Sequence, residues 1–308
     1  MIEDIDLIVS VAIDYFQNNL SQTEIAKKIH ASRPTVSNLI KRAKELGIVK
    51  IYIHHPTYDK YKQQNYLKQK YKLKEVIISN EGGDEEVNKE LVGKACSEYL
   101  KTQFPEIQTI GIGWGTTIHH FVESVTTQTY PNIEIIPLIG GFGIENVKFH
   151  SNHLAYKLAE RIHAKPIYFN APAIAESKEV KEIFTKTKLF SDMLEKTKNL
   201  DVFVLGIGNP TESSTYQKFG IIDKKEAQKL ERKGAVLDLL ATFYDKQMNE
   251  IPSDITNRMI GVPLSKIINA KNKIVLASGE EKITAVKTLL QKNIVDTLII
   301  DPVIANNL

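Results

Sequence analysis

The sequence of 308 residues has little of several features that define whole classes of proteins. Cys96 is its only cysteine, which excludes an intramolecular disulfide and a cysteine metal cluster and favours a reducing compartment. No apolar run approaches the roughly 18 residues that a membrane-spanning helix needs. The N-terminus, MIEDIDLIVSV, is acidic where a signal peptide is basic. Together these absences predict a cytoplasmic protein.

The sequence motifs of common nucleotide and metal sites are missing as well. The glycines of GIGWG, residues 111–115, lack the G-x-G-x-x-G spacing, and no acidic residue ends the next strand, where a ribose needs one. The sequence contains no G-x-x-x-x-G-K-S/T phosphate loop. The pairs His119–His120 and His150–His153 have no clear Asp, Glu or Cys partners at ligand spacing. We therefore expect neither a cofactor nor a metal ion.

Positive charge is present, and it is concentrated near the N-terminus. The whole chain has a net charge of +3. Residues 1–20 carry four acids and no Lys or Arg, residues 21–72 carry twelve Lys or Arg against three acids, and residues 73–308 carry 28 against 30. Such an excess in residues 21–72 is expected of a segment that contacts a polyanion such as DNA.

Two short helices are predicted within this basic segment, over residues 20–47. Ser21 and Glu24 form a capping-box pattern that starts the first helix, which continues with an apolar stripe at helical spacing. Ser32 is placed to cap the second helix almost immediately afterwards, and Gly47 is placed to end it. The short connection makes this pair a candidate helix-turn-helix.

The second helix presents the residue types that DNA recognition requires. Its apolar positions can face the first helix, which leaves seven polar side chains outside: Arg33, Thr35, Ser37, Asn38, Lys41, Arg42 and Lys44. Arg and Asn can bond to guanine and adenine edges, and Ser, Thr and Lys can bond to phosphates. The alternative is an ordinary helical hairpin with a solvated charged face. The caps, the short turn and the basic outer face together favour DNA binding.

Past this helix pair the pattern changes to strands and helices. Residues 48–54 alternate apolar and polar side chains, which predicts a half-buried strand that serves as a wing. Seven short apolar runs then predict the strands of one mainly parallel sheet: 75–79, 109–112, 133–139, 166–169, 202–205, 273–277 and 297–300. The predicted organisation is a winged helix-turn-helix over residues 1–56 and an α/β domain over residues 57–308.

Four of these strands end in loops that contain glycine: residues 111–117, 140–143, 206–210 and 277–282. In an open α/β sheet, ligands bind beyond the carboxyl ends of the strands, where glycine lets backbone N–H groups approach an anion. Gly113, Gly115, Thr116 and Thr117 can cradle a phosphate, and Lys282 can add a positive charge. Each loop alone has a purely geometric explanation, but their recurrence predicts one ligand crevice.

Several segments, in order along nearly the whole chain, carry a family likeness: SQTEIAKKIHASRPTVSNLIKRAKELGIVKI, IGIGWGTTI, FHSNHLAYKLAERI, LGIGN, GAVLDLLATFYD, RMIGVPL and SGEEKITAV. The sequence resembles the SorC family of sugar-binding transcriptional regulators, which includes the bacterial deoxyribonucleoside and central-glycolytic regulators. The resemblance implies an N-terminal winged helix-turn-helix and a Rossmann-like, doubly wound effector domain related to sugar-phosphate isomerases and deaminases. It also implies a phosphorylated sugar as effector and a homotetramer or dimer of dimers.

The resemblance and the loops together define an expected effector site. Its residues are Gly113, Trp114, Gly115, Thr116, Thr117, Gly140, Gly141, Asn152, Asp238 and Lys282. Two departures from the family pattern limit the comparison. The deoxyribonucleoside regulator has a Schiff-base lysine before the paired glycines, and Ile139 stands there in this chain, which excludes covalent capture of an aldehyde by that route. Leu237 replaces a glycine near the sugar, so we expect an effector of different shape.

The sequence therefore predicts a regulator without catalytic residues that binds operator DNA and changes affinity when a sugar phosphate occupies the crevice. An alternative is a sugar-phosphate isomerase or deaminase with a DNA-binding appendage, for which Asp238, Glu280 and His153 are candidate bases. A third possibility is a sensor of a nucleotide cofactor. Trp114 is the only tryptophan and lies in the first glycine loop, so its fluorescence should report ligand binding.

Two alanine substitutions in the second helix should have different effects on DNA binding. Asn38→Ala should relax sequence preference because it removes a base contact. Lys44→Ala should weaken binding to all DNA about equally and flatten its salt dependence, because it removes a phosphate contact. Fluorescence anisotropy with cognate and random duplexes at several salt concentrations measures both effects. An equal loss on the two duplexes for Asn38→Ala would contradict its assignment to base reading.

Overall fold

The computed structural model describes residues 4–52, 55, 57–143, 145–210 and 215–308. The chain divides into two compact units, Met1–Tyr58 and Asp59–Leu308. Each unit has apolar clusters of its own, so each is described separately. Among the described residues, no helix combines the length and the apolar character that crossing a bilayer requires.

The first unit contains three helices: α1 (Ile5–Phe16), α2 (Gln22–Lys28) and α3 (Arg33–Glu45). Their apolar stripes meet around Val11, Ile25 and Val36, none of which is exposed to solvent. Ile8 of α1 and Ala43 of α3 form a second small cluster beside the first. Helix α1 therefore supports both helices of the predicted pair.

The predicted helix boundaries in this unit are confirmed. Ser21 and Glu24 form the capping box, in which each side chain accepts a hydrogen bond from the backbone N–H of the other residue. Ser32 caps α3 through the N–H of Thr35. Gly47 follows the last turn of α3 with a φ of +73°, a conformation that strains residues with a Cβ atom.

The strand predicted over residues 48–54 is wrong for residues 48–52, and residues 53 and 54 lie outside the described part of the chain. Residues 48–52 have no regular secondary structure and pair with none of the described strands. Val49 is half-buried, but Ile51 is 60% exposed. An alternating pattern forms a strand only where a neighbouring strand completes its backbone hydrogen bonds.

The rest of the chain is an α/β fold. Its helices are α4 (Tyr58–Lys70), α5 (Glu85–Lys101), α6 (Thr116–Ser124), α7 (Ser151–Ile162), α8 (Lys178–Thr185), α9 (Lys188–Thr197), α10 (Thr215–Lys218), α11 (Lys224–Arg232), α12 (Leu264–Ile267), α13 (Ile283–Leu290) and α14 (Pro302–Asn306). Its strands are β1 (Glu75–Ile78), β2 (Thr109–Ile112), β3 (Glu134–Pro137), β4 (Lys165–Pro166), β5 (Val202–Gly206), β6 (Leu237–Leu239), β7 (Thr242–Tyr244), β8 (Asn272–Ala277) and β9 (Thr297–Ile300).

Seven of these strands form one parallel sheet in the order β1-β9-β8-β5-β2-β3-β4. The seven predicted strands and their assignment to a single sheet are confirmed, although β3 and β4 are shorter than the apolar runs that predicted them. The register places Ile110 of β2 between Ile135 of β3 and Val202 of β5. Such continuous Ile and Val content is typical of strands whose two faces are both covered.

Helices cover both faces of this sheet, which makes the doubly wound architecture that was predicted. On one face, α5, α6 and α7 pack around a cluster that includes Cys96, Phe121 and Leu154. On the other face, α4, α9 and α13 contribute Leu67, Met193 and Leu289 to a second cluster. The sheet is therefore the middle layer of three.

A small antiparallel hairpin, β6–β7, was not predicted. Leu237 pairs with Tyr244 and Leu239 with Thr242. Each strand has three residues, which is too short to show period-two alternation within the apolar sequence around it. The hairpin matters for the site because it holds Asp238 beside the loop that follows β5.

Helix α4 covers the outer edge of β1. The side chain of Gln64 accepts a hydrogen bond from the N–H of Ile78 at 2.9 Å. Leu67 is 1% exposed, and the hydroxyl of Tyr71 donates to the carbonyl of Leu308 at 3.0 Å. The backbone of this edge strand is thus partly satisfied within the unit, which protects it from pairing with another chain.

Helices α5 and α6 approach so closely that one position requires glycine. A Cβ atom on Gly93 of α5 would lie 2.5 Å from the backbone nitrogen of Phe121 and 2.6 Å from the carbonyl carbon of His120 in α6. Gly93→Ala should force the helices apart and lower the free energy of unfolding by roughly 1–3 kcal/mol. Urea denaturation measures this change.

Gly83→Ala is the matched control, because no atom lies within 4 Å of a Cβ atom at that position. We expect it to change the free energy of unfolding by less than about 0.5 kcal/mol. Similar losses for the two variants would mean that the close approach of α5 and α6 is not what makes Gly93 necessary.

Candidate functional site

The outer face of α3 is the candidate DNA-contacting surface of the first unit. Six of the seven predicted side chains are exposed, and Arg42 is half-buried. At 100° per residue, Asn38 and Lys41 project opposite the buried Val36 and Ala43. They are therefore the two predicted residues that extend farthest from the core of the unit.

Four of the predicted DNA contacts also have partners within the protein. The hydroxyls of Thr35 and Ser32 lie 2.8 Å apart, and the ammonium group of Lys41 lies 3.8 Å from the carboxylate of Glu45. Nη1 of Arg42 lies 3.1 Å from the carboxylate of Glu45, and the ammonium group of Lys44 lies 5.5 Å from the centroid of the Phe16 ring. Lys44 consequently points toward α1, at the margin of the outer face. Exposed pairs of this kind contribute little stability, so they leave these side chains able to exchange partners.

Lys28, a further basic residue of the first unit, bonds to a buried carboxylate of the fold. Asp14 of α1 is 3% exposed and accepts hydrogen bonds from Lys28 of α2 at 2.7 Å and from Asn18 at 3.1 Å. The bond from Lys28 lowers the pKa of the Asp14 carboxyl, with a further contribution from Asn18. This ion pair ties α1 to α2.

The candidate ligand site of the second unit is a cleft at the carboxyl edge of the sheet. The loops after β2, β5 and β8 line it, because these strands are neighbours in the sheet. Six predicted effector residues are among its walls: Trp114, Gly115, Thr116, Thr117, Asp238 and Lys282. The cavity volume of the cleft is about 60 Å³. This is several times the volume that one water molecule requires, and it suits a small anionic group.

The N-terminus of α6 faces this cleft. Gly115 precedes the helix with a φ of +107°, and no side chain of the described residues caps the first turn. The first N–H groups of a helix have no intrahelical acceptor and form the positive end of its dipole. The N–H of Gly115 itself donates to the carbonyl of Phe149 at 3.0 Å, which holds the loop in place. An anion in the cleft would meet the N–H groups and hydroxyls of Thr116 and Thr117.

Three lysines are among the described residues that line the cleft. Lys282 is 8% exposed, Lys89 of α5 is 7% exposed, and Lys218 of α10 is exposed. The ammonium group of Lys89 is hydrogen-bonded to Glu85 and lies 3.7 Å from the carboxylate of Glu86. Because water screens charge poorly in a partly buried space, these lysines can attract an anionic ligand. Three carboxylates in the same lining offset part of their charge: Glu85, Asp238 and Glu281.

Asp238 supplies the opposite charge to Lys282. Its backbone is held by two hydrogen bonds with Gly208, at 3.0 and 3.1 Å. Burial raises the pKa of Asp238 from 3.8 to about 6, and the charge of Lys282 opposes that rise. Burial also lowers the pKa of Lys282, and the charges of Asp238 and Glu281 oppose that fall. The cleft thus contains a carboxyl group that titrates not far below neutral pH.

Hydrogen bonds join the loops on the β5 and β8 side of the cleft. The amide of Asn209 donates to the carbonyl of Glu281 at 2.9 Å. The hydroxyl of Ser278 and the N–H of Gly279 donate to the buried carboxylate of Asp301 at 2.8 and 2.7 Å. Oε1 of Glu281 is buried and has no hydrogen-bond partner among the described residues. This oxygen is therefore a buried acceptor whose hydrogen bond is not made by those residues.

Four of the predicted effector residues are not in the lining of the cleft. Gly113 donates its N–H to β5 and so continues the sheet. Gly140 and Gly141 belong to the loop after β3, one strand beyond the cleft, and Gly141 borders a neighbouring depression. Both amide atoms of Asn152 are bonded to the backbone of Phe169, at 2.8 and 3.0 Å, so this side chain holds the chain that follows β4.

Trp114 lines the cleft and packs against aromatic side chains beyond it. It is 9% exposed, and its ring centroid lies 4.3 Å from that of Phe142 and 4.7 Å from that of Tyr216. The tryptophan therefore contacts the loop after β3 as well as the cleft. A rearrangement on either side would change its surroundings.

Lys89, Lys218 and Glu281 line the cleft but were not predicted. Lys89 had a usable signal, because it lies on the same face of α5 as the buried Val92 and Cys96. A charge within an apolar stripe indicates a buried partner or a functional site. No local sequence pattern singled out Lys218 in α10 or Glu281 in the loop after β8.

Known proteins share this combination of domains. Residues 55–308 match the family described as "Putative sugar-binding domain", and residues 17–50 match "Winged helix-turn-helix DNA-binding". The chain is 27% identical over 297 residues to the deoxyribonucleoside regulator of Bacillus subtilis, covering 96% of this chain and 94% of that protein. It is 26% identical over 300 residues to the sorbitol operon regulator of Klebsiella pneumoniae, covering 96% and 95%. The crystal structure of the full-length sorbitol operon regulator matches with a TM-score of 0.74 over 99% of this chain and 98% of that one.

The chain belongs to the SorC family of sugar-binding transcriptional regulators. It is a DNA-binding transcriptional regulator with a sugar-binding domain, and the predicted family and fold class are confirmed. In the described part of this SorC-family regulator, no group of three His, Cys, Asp or Glu side chains is placed to hold a metal ion.

The raised pKa of Asp238 predicts a pH dependence of stability in the regulator. The folded protein holds this proton more tightly than the unfolded chain does, so stability falls as the pH rises from about 4 to about 6. Asp238→Asn removes the titration. The free energy of unfolding of the wild type, relative to the variant, should therefore fall by roughly 1 kcal/mol between about pH 5 and 7.5. Urea denaturation across this range measures the difference, and a rise with pH would contradict the prediction.

Proposed function

We propose that this SorC-family regulator changes its affinity for operator DNA when a phosphorylated sugar binds in the cleft. The observation that carries the proposal is the convergence of the α6 N-terminus, Lys89 and Lys282 on one small space. Helix N-termini and lysine ammonium groups both bind phosphate oxygens, and together they suit a group with two negative charges. The hydroxyls of Thr116 and Thr117 add donors at the same end of the cleft.

The sugar part of the effector would extend from the phosphate toward Asp238 and Glu281. Carboxylate oxygens accept hydrogen bonds from sugar hydroxyls, and Oε1 of Glu281 has no partner among the described residues. Two relatives are named for deoxyribonucleosides and for sorbitol, compounds with sugar or polyol skeletons, which supports an effector of related chemistry. Ile139 carries no amine, so the effector would not be captured as a Schiff base at that position.

On DNA, α3 would lie in the major groove. Asn38 would read base edges and Lys41 would contact phosphates, because these two side chains project farthest from the core of the unit. The remaining predicted contacts are Arg33, Thr35, Ser37, Arg42 and Lys44. The effector would act through unequal affinity for the DNA-binding and non-binding arrangements. A homotetramer or dimer of dimers would place several such helices on one operator.

The raised pKa of Asp238 favours one alternative, a sugar-phosphate isomerase with a DNA-binding appendage. A carboxyl group that titrates near pH 6 beside a lysine can accept and return a proton. The names of the relatives favour the regulator, since they are transcriptional regulators. ³¹P NMR of sugar phosphates incubated with the protein distinguishes the two, because a regulator leaves the spectrum unchanged and an isomerase produces a new resonance.

Trp114 fluorescence tests the proposed effector class directly. Sugar and polyol phosphates should be titrated, each beside its unphosphorylated parent. At least one phosphorylated compound should give a saturable change, and its parent should bind roughly 10–100-fold more weakly because it lacks charge-assisted hydrogen bonds. Each compound that binds is then tested for its effect on operator affinity by fluorescence anisotropy. Equal responses to phosphorylated and parent compounds would overturn the phosphate assignment.

Lys282→Met should weaken binding of the effective compound by a similar factor, because it removes a buried positive charge from the cleft. Lys287→Met is the matched control, since Lys287 is exposed on α13 in the same segment. The control should leave the affinity within about twofold of the wild type. Circular dichroism verifies that both variants are folded.

A further inference from the structure

The first turn of α5 places a carboxylate at the lysines of the cleft. Glu85 is the first residue of α5, directly after Asp84, which caps the helix. Its Oε1 accepts a hydrogen bond from the ammonium group of Lys89, one turn later. Both side chains line the cleft. The Lys89 side chain is 9% exposed and the Glu85 side chain is 53% exposed, so the cation is buried while the carboxylate has access to solvent.

Glu85 interacts with each of the lysines in the described lining. The pKa of its carboxyl is lowered, first by the hydrogen bond from Lys89 and then by the charges of Lys89, Lys218 and Lys282. Glu86, the next residue, has a different main partner, because its carboxylate bonds to Nε2 of His120 at 2.9 Å. Glu85 therefore bonds to a lysine of the cleft, whereas Glu86 bonds mainly to His120.

We propose that Glu85 serves as an internal anion that neutralises Lys89 in the ligand-free cleft and is displaced when the phosphate of the effector binds. The proposal rests on the function proposed above and adds a residue that sets the affinity and selectivity of that site. Lysines brought together without anions repel one another. Asp238 and Glu281 oppose the charge of Lys282, and Glu85 is the counter-charge that is hydrogen-bonded to Lys89.

Displacement is physically accessible to this side chain. Half of the Glu85 side chain is already exposed. Rotation about its own bonds can therefore take the carboxylate into water, where it is solvated. Lys89 would then donate to the phosphate instead. A dianionic phosphate can compete with a carboxylate for several lysines at once, whereas a small monoanion cannot. Glu85 would thus exclude common monoanions from the cleft.

Glu85→Gln in the full-length protein tests this role. The probes are inorganic phosphate and sulfate at about pH 7.5, with binding followed by Trp114 fluorescence and isothermal titration calorimetry. The variant should bind both anions about tenfold more tightly than the wild type, because no internal carboxylate competes for Lys89. Chloride and acetate, which the wild type should exclude, should become measurable competitors.

Glu86→Gln is the matched control, since it removes the same charge from the same helical turn. It should raise anion affinity by no more than about twofold, because its carboxylate bonds mainly to His120. Glu85→Asp provides a variant of unchanged net charge. Its shorter side chain reaches Lys89 less well, so it should also bind phosphate more tightly than the wild type. In a Lys89→Met background, the gain from Glu85→Gln should shrink.

The outcomes separate this inference from the proposed function. If the wild type binds phosphate and neither Glu85 variant binds it more tightly, Glu85 does not occupy the phosphate position, although the cleft remains an anion site. Equal gains for Glu85→Gln and Glu86→Gln would show only a general effect of charge and would also overturn the inference. If none of the folded proteins binds phosphate, sulfate or a sugar phosphate, both proposals fail.

Discussion

The buried charge at the carboxyl edge of the sheet is the constraint on which the second unit depends. Lys282 is 8% exposed and Asp238 is 7% exposed, and each opposes the shift that burial imposes on the pKa of the other. Removing one partner of such a pair leaves an uncompensated charge, which costs several kcal/mol. Gly208 holds the hairpin that carries Asp238, and Asp301 holds the loop before Lys282. Much of the local structure therefore serves to keep these charges in place.

The order of the strands explains how the cleft is assembled and how a ligand can act on the fold. Because β8, β5 and β2 are adjacent, their loops meet at one edge, and the loop after β3 lies one strand farther away. Helices α5 and α6 both begin at the cleft, with Glu85 and Thr116 in their first turns. Gly93 lets the two helices pack backbone to backbone, so a ligand at the cleft would contact two helices that are closely packed against each other.

Predictions from local patterns were accurate where short-range chemistry decides the outcome. The caps at Ser21 and Ser32 need only a side chain and an N–H three residues later, and the seven strands follow from runs of apolar residues. The strand predicted over residues 48–54 is wrong for residues 48–52, where the apolar and polar alternation is present but no described strand pairs with it. Asn152 has the residue type of a ligand contact, yet the distant backbone of Phe169 occupies both of its amide atoms.

The sequence alone determined that the chain has a basic helix pair, a parallel sheet with glycine loops at strand ends, and the likeness to its family. Those properties depend on composition, periodicity and motifs, which are local or simply ordered along the chain. The tertiary structure decided which loops share one cleft, which lysines stand beside Asp238, and that Glu85 lies among them. The physical reason is that charge interactions depend on distance and burial, and strand order brings together residues that are far apart in sequence.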